Sequence, residues 1–173
     1  EQQSPPDARY LRFSSIKGKL EFDGTIAHAN LEGRFHDAAI QVRGTLERGG
    51  AGVATIGFEL ELTAQSVPLP RGEPSDPVES RFVRRWKRLR DFVFDFDGIG
   101  PVDLVVHLRR AARPESVVEF VEATMTPLGV SARYAKFPYR IYDMRGKVHF
   151  RPDGTVGIEN LAGVHGGGRV VVN

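Results

Sequence analysis

The chain predicts a mainly β fold: a curled antiparallel sheet, shaped as a groove or half-barrel, made of repeated strand-turn-strand units with one inserted amphipathic helix. Three observations lead there. A phrase over 16–43, IKGKLEFDGTIAHANLEGRFHDAAIQVR, returns over 144–173 as MRGKVHFRPDGTVGIENLAGVHGGGRVVVN, with Arg151 and Pro152 inserted. Glycine and proline, 19 and 11 residues, punctuate short β-branched runs in the manner of many strands. Between the copies, one segment alternates apolar and polar side chains without a break.

The first copy supplies a hairpin, 13–22 and 25–31, around Asp23-Gly24, a dipeptide suited to tight hairpin turns. A third strand follows over 39–47 and stops at Arg48-Gly49-Gly50. Next, Ala54, Ile56, Phe58, Leu60, Leu62 and Ala64 point one way, while Thr55, Gly57, Glu59, Glu61, Thr63 and Gln65 point the other. Side chains on a strand alternate faces, so this strand has one dry and one wet face. A Pro/Gly/Ser-rich loop covers 67–77. The period then changes: Val78, Phe82, Trp86, Leu89 and Val93 recur at helical spacing and predict a helix over 78–93. Turns at Asp97-Gly98 and Gly100-Pro101 lead to a strand carrying Val102, Leu104, Val106 and Leu108 on one face. Strands over 117–125 and 129–137 follow, and the second copy closes the chain.

The two copies align over 28 positions, and ten are identical: Gly18/Gly146, Lys19/Lys147, Phe22/Phe150, Asp23/Asp153, Gly24/Gly154, Thr25/Thr155, Asn30/Asn160, Leu31/Leu161, Gly33/Gly163 and Val42/Val172. Self-similarity at a fixed offset marks a repetitive architecture. An offset near 130 residues makes each period several strands wide. The shared residues are turn formers and apolar residues, with no shared reactive group.

The 173 residues fit one β-rich module, 1–173, large enough for a core. A 40% hydrophobic and 27% charged balance is that of a folded soluble domain. The absence of cysteine removes disulfides and thiolate metal sites. No run of 18 apolar residues predicts a transmembrane helix, and EQQSPPDARY has no basic and apolar leader. The start reads as a linker and the end stops within a strand, so the chain is expected to be a fragment of a longer repeat array.

Catalytic and metal motifs fail on context. His165-Gly166-Gly167-Gly168 matches an oxyanion loop, but no G-x-S-x-G nucleophile exists and the first copy has His36-Asp37-Ala38-Ala39 there, so a turn is the better reading. Gly50-Ala-Gly52 precedes a strand rather than a phosphate-binding helix. Asp95-Phe96-Asp97-Gly98 lacks the later ligands of a calcium loop. His28, His36, His107, His149 and His165 have no metal-ligand spacing. Glu59 and Glu61 sit side by side on a wet face rather than across a cleft. No catalytic residue, metal or cofactor is expected, and the chain is not expected to be an enzyme.

The helix over 78–93 concentrates charge. Arg81, Arg84, Arg85, Lys87, Arg88 and Arg90 surround Phe82, Trp86 and Leu89. Three uses fit: a solvated surface helix packed on the sheet, contact with anionic lipid headgroups, or contact with a nucleic-acid backbone. Asp91, Asp95 and Asp97 follow directly and disfavour nucleic acid.

The second copy resembles the C-terminal phrase of AsmA-like bacterial envelope proteins, the group that includes TamB-like chains. The residues are Phe137-Pro138, Met144-Arg145-Gly146-Lys147-Val148, Asp153-Gly154, Ile158-Glu159-Asn160-Leu161-Ala162-Gly163 and Gly166-Gly167-Gly168-Arg169-Val170-Val171-Val172. The first copy fits less well, because His36-Asp37-Ala38-Ala39 replaces the glycine patch. The resemblance implies a long sheet curled into a groove with one apolar face, in the periplasm. It also implies an inner-membrane anchor on a segment absent from this chain, and movement of phospholipid toward the outer membrane. Partners would be acyl chains, neighbouring modules of the same chain and a membrane surface.

An apolar trough of this kind would be walled by Ile56, Phe58, Leu60 and Leu62, with Leu104, Val106, Val148, Phe150, Val156 and Ile158 as neighbours. A long contiguous apolar surface marks a binding site. A structural module whose apolar face is fully buried is the competing expectation, since alternation alone does not separate a trough from a core.

Overall fold

The computed structural model describes residues 14–35, 38–49, 55–69, 95–136 and 139–172. Ten strands form: β1 (Ser14–Asp23), β2 (Ile26–Phe35), β3 (Ala38–Arg48), β4 (Ile56–Pro68), β5 (Pro101–Arg110), β6 (Glu119–Pro127), β7 (Val130–Ala132), β8 (Ile141–Phe150), β9 (Val156–His165) and β10 (Gly168–Val172). They build one antiparallel sheet in the order β1-β2-β3-β4-β5-β6-β8-β9-β10, with short β7 beside β8. Among the described residues β1 and β10 each have one neighbour, so the sheet is open. The helix expected over 78–93 lies outside the described residues.

The two copies of the repeated phrase become the two ends of this sheet. β1 and β2 correspond to β8 and β9, and β3 to β10. In each copy a residue with positive φ precedes a glycine by three positions: Ser15 (φ 53°) before Gly18 (φ 138°), and Asp143 (φ 47°) before Gly146 (φ 131°). The ladder slips at both places, between Ser14 and Lys17 and between Tyr142 and Arg145. Such bulges bend a strand and raise its twist. A third slip, between Ala64 and Val67 in β4, contains Ser66 (φ 54°), whose N–H donates to Asp103 Oδ1 at 2.9 Å.

β8 is shared between two partners. Its start pairs with β7, at Met144 with Val130, and its end pairs with β6, at Val148 with Met125. A cap over the sheet results from β7 and the segment preceding β5, joined where Ile99 and Ser131 exchange backbone hydrogen bonds of 2.7 and 2.9 Å. The strand expected over 129–137 is cut to Val130–Ala132, because Arg133 and Ala135 turn their N–H groups to Phe96 and Asp95 instead. Asp97 fixes the cap from outside: Arg140 donates to its carboxylate at 2.6 Å and Arg133 at 3.4 Å.

The main core lies under this cap. Val102, Ala123, Met125, Val130, Ala132, Met144, Val148, Phe150 and Leu161 form it, with Leu69, Phe96 and Ile158 packed against them. A small, partly open apolar cavity of about 30 Å³ lies among Phe96, Met125, Val130 and Leu161.

Candidate functional site

Directly paired residues in a ladder share a face, so the register assigns every side chain to one side of the sheet. One row runs Leu31, Val42, Leu62, Val106, Ala123, Phe150, Val156 from β2 to β9. The next runs Gly33, Ile40, Ala64, Leu104, Met125, Val148, Ile158 across the same strands. On the other side of the first, Leu20, Ala29, Gly44, Leu60, Leu108 and Phe120 line up, followed by Phe22, Ala27, Leu46 and Phe58. One face of the sheet is therefore apolar from β1 to β9.

All ten proposed groove residues fall on this face, but in unlike environments. Val148 and Phe150 are core residues, 1% and 3% exposed. Leu104, Val106 and Ile158 pack against that core. Phe58, Leu60 and Leu62 are half-buried, and Ile56 is 53% exposed. The apolar face is thus buried around β5, β6 and β8, while Leu20 and Phe22 on β1, Ile56 on β4 and Val156 on β9 (37%) remain accessible. Leu20, Phe22, Leu31, Val42 and Leu46 belong to the accessible part and were not among the expected lining residues. Their alternation in the first copy was the signal that could have placed them there.

The opposite face is polar and is laced by charge. Lys17 reaches Glu32 at 3.4 Å, His107 Nε2 lies 3.5 Å from Glu61, and Arg109 donates to Glu119 at 2.8 and 3.1 Å. Hydrogen bonding to Glu119, and then its charge, push the Arg109 guanidinium pKa further up. Glu59 and Glu61 are members of these rows, opposite Arg109 and His107 on β5. A cleft of about 440 Å³ indents this face at the end of β1 to β4, between Lys17, Glu32, Gln41, Thr63 and Gln65.

One polar constellation has the order of a nucleophilic triad. Thr124 Oγ1 is 3.1 Å from His149 Nδ1, and His149 Nε2 is 3.1 Å from Glu159 Oε2, with donor and acceptor set by the ring tautomer. It joins side chains of three neighbouring strands on the polar face. It acts as a cross-strand clasp over β6, β8 and β9. Tyr139 packs at a tilt against His165, whose Nδ1 lies 2.9 Å from Arg140 O, so the ring anchors the turn at Gly166-Gly167.

Among the described residues no group of three or more His, Asp or Glu is placed to hold a metal. No helix among them is long and apolar enough to cross a membrane. Arg81, Arg84, Arg85, Lys87, Arg88 and Arg90 lie outside the described residues. No protein-family model, curated protein or solved structure matches the chain.

Proposed function

We propose that the chain is a non-catalytic lipid-binding segment of an AsmA-like envelope protein, whose curled sheet offers its apolar face to phospholipid acyl chains. The observation that carries this is the set of accessible apolar side chains on β1 and β4, Leu20, Phe22, Phe58, Leu60 and Leu62, in adjoining rows that Ala27, Ala29, Gly44 and Leu46 connect. A contiguous field of that kind costs solubility unless something covers it, and an acyl chain needs no polar partner there. The bulge and glycine pairs at Ser15/Gly18 and Asp143/Gly146 support the curl. Periplasmic placement, transfer toward an outer membrane and continuation into further modules belong to the same reading and rest on the phrase around Gly146 to Val172.

A scaffold module is the second reading, and the tightly packed core beside β7 favours it. The space left there, about 30 Å³, is far too small for an acyl chain. The two readings part on one experiment. Lipid extracted from the purified protein is identified by mass spectrometry, for the native chain, Leu60→Glu and the wet-face control Thr63→Glu. Loss of bound phospholipid in Leu60→Glu alone, with the fold retained by circular dichroism, is the expected outcome. No bound lipid, or equal lipid in all three, leaves the scaffold.

A further inference from the structure

The edge strand β1 is self-complementary. Its residues 17–23 read Lys-Gly-Lys-Leu-Glu-Phe-Asp, and every residue of the strand is exposed. Asp23 pairs with Ile26 across the two-residue turn at Gly24-Thr25, which makes them a hydrogen-bonded pair. By alternation Glu21 and Lys19 also bond inward to β2, whereas the N–H and C=O groups of Leu20 and Phe22 point outward. No described strand takes them. Phe22 is 77% and Leu20 43% exposed. An edge like this is a template for another strand.

We propose that β1 pairs antiparallel with β1 of a second copy of this chain, about a two-fold axis normal to the sheet through the two Leu20 residues. In that register Lys17 faces Asp23 of the second copy, Gly18 faces Phe22, Lys19 faces Glu21, and Leu20 faces Leu20. Every charge meets its opposite, and Phe22 fills the space above the side-chain-free Gly18, as aromatic residues do over edge glycines. Lys19 and Glu21 already form an ion pair within the strand, so the dimer joins two such pairs into a four-charge cluster. Sliding the pairing by two residues sets Lys19 against Lys19 or Glu21 against Glu21. The charges therefore select one register, where edge lysines ordinarily repel all of them. The two-fold axis keeps both apolar faces on the same side, so rows from Leu20 and Phe22 continue into the second copy.

Sedimentation velocity over a concentration series tests this. A reversible dimer is expected, weakened about tenfold or more in Lys19→Glu, where Glu meets Glu twice per dimer. The double variant Lys19→Glu/Glu21→Lys restores it, because the register remains complementary. The chain holds no cysteine, so Leu20→Cys reports geometry separately: Cα atoms of such a pair stand about 5.5 Å apart, within disulfide reach, and oxidation yields a covalent dimer. A monomer at every soluble concentration overturns the proposal. So does a dimer indifferent to Lys19→Glu, which assigns association to β10 or to the apolar face. Bound lipid does not enter these readouts, so their failure leaves the lipid proposal standing.

Discussion

Gly18 and Gly146, 128 residues apart, hold one backbone geometry against one kind of neighbour. A Cβ on Gly18 would lie 2.2 Å from the carbonyl oxygen of Asn30, and a Cβ on Gly146 would lie 2.6 Å from that of Asn160. Both glycines have φ between 131° and 138°, a region closed to other residues. The repeat therefore preserves a backbone geometry as well as a sequence.

Alanine at either glycine is expected to destabilise the fold by about 1–3 kcal/mol, since strain and steric overlap act together. Urea unfolding measures it. Gly146→Ala acts on the global transition because β8 runs through the core. Gly18→Ala frays β1 first and shows as faster amide exchange there.

Leu31 and Leu161 are equivalent in the repeat and unequal in burial. Leu161 is 2% exposed within the core, while Leu31 is only half-buried. Leu161→Ala is expected to cost about 2–5 kcal/mol, the range for a buried leucine. Leu31→Ala should cost roughly half as much or less, because less apolar area is at stake. Equal losses in thermal or urea melts would mean that the first copy is as tightly packed as the second.

The cap depends on Asp97. Asp97→Ala removes the acceptor of Arg140 and Arg133 and, for a half-exposed pair, is expected to cost about 1 kcal/mol or less. Hydrogen exchange should quicken at Ile99, Ser131 and Arg133, with the β2 to β4 ladders unchanged.

Asp153 titrates below an ordinary aspartate. The N–H of Thr155, at 2.8 Å, is the main cause, and the Thr155 hydroxyl at the same distance adds to it. Both bonds favour the carboxylate. A depressed native pKa gives stability that is present above the unfolded value, about 3.9, and lost as pH falls through the native one. NMR titration should show the Asp153 carboxyl rising toward the ordinary value in Thr155→Ala. It should stop short of it, since the backbone donor remains.

Much of the sheet was legible because its signals are local. The alternation of Ile56 to Ala64 fixes the faces of β4, and Asp23-Gly24 marks the hairpin of β1 with β2, although the turn falls one residue later, at Gly24-Thr25. The bulges were not legible: Ser15 and Asp143 adopt positive φ, a conformation their residue types do not announce. The division of the apolar face was hidden for a different reason. Phe58 and Phe150 look alike in their strands, yet only Phe150 belongs to the core over which the cap from β7 and Phe96 packs. That cap is tied by hydrogen bonds between segments far apart in the chain, such as Arg133 to Phe96.

Sheet order follows chain order, and this bears on assembly. Nearly every ladder joins a strand to the one made just before it, so little loop entropy is spent before contacts form. A sheet of this kind is able to grow one hairpin at a time as the chain emerges, each new strand docking on a finished edge. It is also able to lose a terminal strand without unpicking those behind it, in the way of one-dimensional repeat proteins. Partial unfolding would then peel inward from β1, toward strands whose packing does not depend on it.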